Sequence, residues 1–157
     1  MYAIVGISGR VGGAIAENLM AQGGKIRAIV RNPEKATRWR DRGAEIAVAD
    51  VDNPNALASA FEGTDGVFLM IPPNFAPARG FPETRKTLAS YHAALANALP
   101  KKAVNLSSIG AEQTKGLGLI TSLHLLEQTL GDLPIPHAFL RAGWFMENHA
   151  WDVTTAQ

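Results

Sequence analysis

Hydrophobic and polar positions alternate between two periods along the chain. Tyr2–Ile7 is a short β-rich run that ends in glycine turns. From Val11 to Ala21 the apolar residues Val11, Ile15, Leu19 and Met20 fall on one side at helical spacing. Lys25–Val30 predicts a second strand, and Asn32–Pro33 opens a second helix with proline at its first position. Glu45–Ala49 predicts a third strand, and Asn53–Pro54 starts a third helix that runs to Phe61. Gly66–Ile71 is apolar on both faces, the pattern of a central parallel strand covered by helices on each side. Pro72–Pro73 ends it. A loop rich in proline and glycine then runs to Pro82, and Glu83–Leu99 predicts a long helix. Ala103–Ser108 is a fifth strand, a Gly-rich stretch from Gly110 to Gly118 leads into a helix ending near Leu130, and His137–Arg141 is a sixth strand. From Ala142 onward the chain reads as loop with one helical turn at Met146–His149.

Strict strand–helix alternation with short connections predicts an α/β fold. It is a doubly wound parallel Rossmann sheet of about six strands, in order 3-2-1-4-5-6, with helices on both faces. Such a sheet binds ligands beyond the carboxyl ends of its strands. Gly6–Gly12, Pro72–Pro73 and Ser107–Ser108 all fall there.

Composition narrows the class. A chain of 157 residues is the size of one domain. At 46% hydrophobic and 18% charged it is neither a disordered tail nor a charged linker. The longest apolar run, Val67 to Ile71, is far below the roughly 20 residues that span a bilayer. The first residues carry no basic n-region, so no secretory signal is expected. With no cysteine, disulfides, thiolate zinc sites and cysteine nucleophiles are excluded, and a cytoplasmic address fits. A net charge of +1 gives no drive toward nucleic acid or anionic membranes.

The chemistry concentrates in Gly6-Ile7-Ser8-Gly9-Arg10-Val11-Gly12, a G-x-x-G-x-x-G between the first strand and first helix. Gly6 allows the tight turn, Gly9 lets backbone approach a pyrophosphate, and Gly12 lets the helix pack close. The helix N-terminus presents free N–H groups to the anion. The same glycines would also close a βα turn that binds nothing, but the strand–turn–helix context favours a dinucleotide.

At the end of the second strand, NAD-preferring sites place a carboxylate for the ribose 2′-OH. This chain has Val30-Arg31-Asn32-Pro33. Arg31 can hold a 2′-phosphate with a forked contact, and Arg10 supplies a second cation. NADP(H) is therefore expected in preference to NAD(H), unless both arginines are solvated loop charges. Asp50-Val51 lies near the adenine, where Asp50 either accepts from the exocyclic amine or caps the turn into the third helix. Ile71, Pro72 and Pro73 are expected against the adenosine ribose and pyrophosphate. Ser107 and Ser108 either donate to nicotinamide or substrate, or simply end the fifth strand.

These motifs, with Lys35-Ala36 after Pro33 and Leu140-Arg141-x-Gly143-Trp144-Phe145-Met146-Glu147-Asn148, together resemble the NmrA-like branch of the atypical short-chain dehydrogenases/reductases. The resemblance covers essentially the whole chain. It implies an NADPH-dependent reductase of quinones or similar small electrophiles, or a redox-sensing regulator. Two departures stand out. Ordinary short-chain enzymes use Tyr-x-x-x-Lys as proton donor, and neither Tyr2 nor Tyr91 has that lysine. Related reductases carry a lysine on the helix after the fifth strand. The equivalent position, four residues before Glu127, is Leu123. His124 is the titratable group on that turn, but a step of about 100° rotates it off the line. Catalytic acid and pocket or surface histidine are its two readings. Second, the family continues well past Asn148 with a portion that closes over the substrate, so that portion is expected to be truncated or absent. Phe145, Met146 and Trp151 would then form an apolar patch that invites self-association.

Other chemistry finds little support. His92, His124, His137 and His149 show no i, i+4 pair, so no metal site is expected. No G-x-S-x-G elbow exists for hydrolysis. Arg31, Lys35, Arg38, Arg40 and Arg42, offset by Glu34 and Asp41, read as a solvated helix face rather than a nucleic-acid surface. The leading expectation is an NADPH-dependent reductase of a small molecule such as a quinone. A non-catalytic NADP(H)-binding sensor acting through a protein partner is second, and an inactive paralogue that only associates is third.

Overall fold

The computed structural model describes residues 1–146. The predicted turn at Met146–His149, and Trp151, therefore lie outside the described residues, apart from Met146 itself. Six strands form one sheet: β1 (Tyr2–Val5), β2 (Ile26–Val30), β3 (Glu45–Val48), β4 (Gly66–Leu69), β5 (Ala103–Ser108) and β6 (His137–Ala142). Their order is β3-β2-β1-β4-β5-β6 and every neighbouring pair is parallel. The helices are α1 (Arg10–Ala21), α2 (Thr37–Asp41), α3 (Pro54–Phe61), α4 (Pro82–Ala98) and α5 (Thr121–Leu130).

Crossover handedness decides which face each helix covers. Stepping from β1 to β2 to β3 puts α1 and α2 on one face. There Ile4, Ile26, Ala28 and Val30 pack with Ala16 and Trp39. Stepping the other way, from β3 through β4 and β5 to β6, puts α3, α4 and α5 on the opposite face. There Ala3, Val67 and Leu69 pack with Leu57, Phe61, Leu88, Tyr91 and Leu126. All four residues of β4 are buried, as its two-faced apolar pattern requires. Among the described residues, nothing covers the α1 face over β5 and β6. Val104 is 37% and Leu140 56% exposed there, beside an apolar hollow of about 860 Å³.

The boundaries that shift do so for local reasons. β1 stops at Val5, not Ile7, because Gly6 takes φ 74°. β4 stops at Leu69, two residues short of the predicted end, because the Met70 carbonyl accepts from the Tyr91 hydroxyl at 2.9 Å. The second helix divides into a 3₁₀ turn, Pro33–Ala36, whose first N–H is capped by Asn32, and the short α2.

Two of the cations around α2 are tied down locally. Arg38 and Arg42 both pair with Glu17 and lie over the Trp39 ring, at 5.0 and 5.5 Å from its centroid. No helix among the described residues is long and apolar enough to cross a membrane.

Candidate functional site

The strand order reverses between β1 and β4, and a cleft opens there beyond the carboxyl ends of the strands. It has two adjoining parts, of about 610 and 430 Å³, which share Met70, Pro72 and Pro73.

The larger part is built on the glycine turn. Gly9 is the N-cap of α1 at φ −88°, its N–H donates to the Gly6 carbonyl at 2.9 Å, and its own carbonyl accepts from Gly13 at 2.9 Å. No side chain caps the helix and no acidic residue occupies its first turn. The first N–H groups of an α-helix have no partner within it, so this end is open to an anion. The turn is tight. A Cβ at Gly6 would lie 2.6 Å from Met70 Sδ, and one at Gly12 would lie 2.7 Å from the Gly6 carbonyl carbon and 2.9 Å from the Ile7 nitrogen.

Gly6, Ser8, Gly9, Arg10 and Val11 line this part together with Arg31, Val51, Pro72 and Pro73. Gly12 lies buried beneath the turn. Asp50 is not in the wall. Its Oδ1 accepts from the Asp52 N–H at 2.9 Å, forming the turn, while Ala49 and Val51 on either side line the cleft. Lys35, missed as a site residue from sequence, also lines it. The signal was present: Lys35 stands four residues after Arg31, on the turn that Pro33 starts. Among the described residues, three cations and no carboxylate thus face a cleft that ends on a helix N-terminus, a donor set that fits a dinucleotide with an additional phosphate. Close by, the Thr87 hydroxyl at 2.7 Å, with Lys86 and Arg31, holds the Asp52 carboxyl below its ordinary pKa.

The smaller part takes Ile71 and Ser107 along with Ser108, Leu123, Phe75, Phe81, Trp144 and Phe145, and among the described residues no ionisable side chain lines it. Phe81 sits at φ 57°, a left-handed conformation that costs a non-glycine residue about 1–3 kcal/mol. Leu123 faces this space and His124 does not line it. His124 Nδ1 lies 2.8 Å from the Ala111 carbonyl, a bond in which the ring nitrogen must donate. Tyr91 is fully buried with its hydroxyl on Met70, and burial pushes the phenol pKa up. Trp144, Phe145 and Met146, at 66%, 41% and 77% exposed, stand at the end of the described chain.

Behind Ser107 lies a polar cluster that sequence reasoning did not assemble. Glu127 of α5 takes the Ser107 hydroxyl at 2.6 Å and a fork from Arg141 of β6, Nε at 3.0 Å and Nη2 at 2.7 Å. The Arg141 bond, with that of Ser107, holds the Glu127 carboxyl below its ordinary pKa. Among the described residues there is no cluster of side chains fit to hold a metal ion.

The NAD(P)H-binding family matches residues 6–155. The chain is 32% identical over 151 residues to quinone oxidoreductase 2 of Escherichia coli, covering 95% of this chain and 50% of that protein. It is 26% identical over 148 residues to an NAD(P)H azoreductase of Xenophilus azovorans, covering 94% of this chain and 49% of that protein. The crystal structure of the Escherichia coli NADPH-dependent quinone oxidoreductase complexed with NADPH superposes with a TM-score of 0.85 at 30% identity. It matches over 99% of this chain and 53% of that one. The chain thus spans about half the length of the curated relatives it matches.

Proposed function

Given that this chain belongs to the NAD(P)H-binding family, we propose that residues 1–157 act as one cofactor-binding domain. It holds NADP(H) in preference to NAD(H) and presents it to an uncharged small electrophile such as a quinone, in the cytoplasm. The observation that carries the cofactor choice is the set Arg10, Arg31 and Lys35 around a cleft with no carboxylate in its wall among the described residues. The carboxylate that grips a ribose 2′-OH would repel a 2′-phosphate, whereas guanidinium and ammonium groups attract one. The substrate class follows from the adjoining wall, where aromatic rings and, among the described residues, no ionisable side chain meet the ligand. The relatives' names, quinone oxidoreductase and azoreductase, point the same way.

When bound, NADPH supplies the hydride. The protein binds and orients. The α1 N-terminus and Arg10 take the pyrophosphate, Arg31 and Lys35 take the 2′-phosphate, and Val51, Pro72 and Pro73 form the adenosine side. A quinone can take its protons from water, so a pocket wall with Leu123 where a lysine would donate still permits reduction. Steady-state NADPH oxidation with a panel of quinones, run beside NADPH binding by fluorescence, tests the reading. Binding with turnover is expected. Binding without turnover would instead support the sensor reading, which the absence of a donor at Leu123 favours.

Two substitutions sharpen the test. A charge-assisted contact of the Arg31 type is worth about 1.5–3 kcal/mol, so Arg31→Ala should narrow the NADPH/NADH affinity ratio by about one to two decades. An unchanged ratio removes Arg31 from the site. His124→Ala should leave turnover within a few-fold, because the ring is bonded to Ala111 outside the pocket wall. Loss of a true general acid costs roughly 10²–10⁴ in rate. A drop of that size, with cofactor affinity intact, would make His124 the proton donor.

A further inference from the structure

Three serines line the smaller part of the cleft, and each has already spent its one hydroxyl hydrogen on the protein. Ser107 donates to Glu127 Oε1 at 2.6 Å, Ser108 to the Ile109 carbonyl at 3.1 Å, and Ser122 to the Leu119 carbonyl at 2.9 Å. A hydroxyl carries one donor and two lone pairs. These three serines therefore offer the cleft lone pairs, not hydroxyl protons. Of the two readings of Ser107, donor to the ligand or end of the strand, the first would require its bond to Glu127 to break.

Ser107 is the most firmly set of the three. It is 2% exposed, and the carboxylate that takes its proton is itself fixed by the two-bonded fork from Arg141. An ionised carboxylate only accepts, so while Arg141 keeps Glu127 ionised and aimed, the Ser107 proton stays turned away from the cleft. We propose that Glu127, clamped by Arg141, fixes Ser107 as an acceptor that binds the carboxamide N–H of a bound nicotinamide. Glu127 is then a positioning residue that acts through Ser107. The inference rests on the cofactor reading above and adds the direction of one hydrogen bond to it.

A cofactor analogue separates the two. Reduced 3-acetylpyridine adenine dinucleotide phosphate keeps the carbonyl of NADPH but replaces its amide NH₂ with a methyl group. An acceptor can tell the two apart, and a donor to the carbonyl cannot. Fluorescence titration should show the wild-type chain binding NADPH about 3- to 10-fold more tightly than the analogue, the range of one neutral hydrogen bond. Ser107→Ala, a small change that leaves the packing in place, should bring that ratio close to one by weakening NADPH alone. Glu127→Gln should shrink the ratio as well, because an amide can donate to Ser107 and release its proton. Damage to packing alone would weaken both ligands alike and leave the ratio standing. If NADPH binds and Ser107→Ala keeps the wild-type ratio, the proposal is overturned and the cofactor reading survives. If the wild-type chain binds neither ligand, the cofactor reading itself falls.

Discussion

Gly9→Asp is expected to weaken NADPH binding by about three decades while the sheet stays folded. The two effects separate because Gly9 is the N-cap of α1, with φ −88° and ψ 174°. Any residue adopts that conformation, and aspartate is among the preferred N-caps. A Cβ there would lie 3.3 Å from the Gly6 carbonyl oxygen, close enough to need a few tenths of an ångström of adjustment. Helix stability should therefore hold or rise slightly. Binding should not. The new carboxylate would cap the N–H groups that the phosphate needs and would face the phosphate with like charge. Two like charges about 4 Å apart cost on the order of 4 kcal/mol at an effective dielectric of 20, and 1.4 kcal/mol is about one decade of affinity. Thermal unfolding beside NADPH titration checks both halves. A variant that folds and keeps wild-type affinity would detach the glycine turn from the cofactor.

The second large effect is on stability, and it divides two adjacent glycines of α1. Gly12→Ala should destabilise the chain by about 2–3 kcal/mol, whereas Gly13→Ala should be neutral or stabilising by up to about 1 kcal/mol. At Gly12 the added carbon meets backbone of the turn, the Gly6 carbonyl group and the Ile7 nitrogen, all inside 3.0 Å. Backbone cannot rotate away as a side chain does, so helix and turn must part. At Gly13 the nearest atoms are the Ile7 oxygen at 3.4 Å and Trp39 at 3.6 Å, which is ordinary contact. There alanine gains its helix propensity without a clash. For a chain of this size, about 2–4 °C of melting temperature accompanies each kcal/mol, so Gly12→Ala should melt roughly 4–12 °C lower. Equal melting points for the two variants would refute the close approach.

The fold was legible because its signals are local. The apolar run of β4, the glycine turn and the prolines at Pro33, Pro54 and Pro72 each act within a few residues. The lining of the larger cleft was legible for the same reason: Gly6, Ser8 to Val11, Arg31 and Pro72–Pro73 sit at strand ends that the alternation already located. What stayed hidden depends on residues far apart in sequence. That Tyr91 would draw off the Met70 carbonyl could not be read from either segment, nor could the meeting of Ser107, Glu127 and Arg141 from three elements. Lys35 was passed over for a different reason. It belonged to a basic stretch read as one solvated face, and the structure divides that stretch, sending Lys35 to the cleft and Arg38 and Arg42 to Glu17 and Trp39.

Strand order also has a consequence in time. β1 is made before any other strand, yet it lies at the centre of the sheet, with Tyr2 facing Ile26 on one side and Gly66 on the other. Its first edge can close once β2 emerges, but its second must wait for β4. At about 5–20 residues per second of synthesis, that interval is roughly 3–13 s. Until then Ala3, Ile4 and Val5, all fully or nearly buried in the finished sheet, stand on an unpaired edge of the kind that recruits other strands. Parallel pairing allows no hairpin to shorten the wait, since each partner arrives only after a crossover. The nascent chain is therefore most exposed to mispairing while residues 31–65 are being made, and that stretch supplies α2, β3 and α3 but no partner for the open edge.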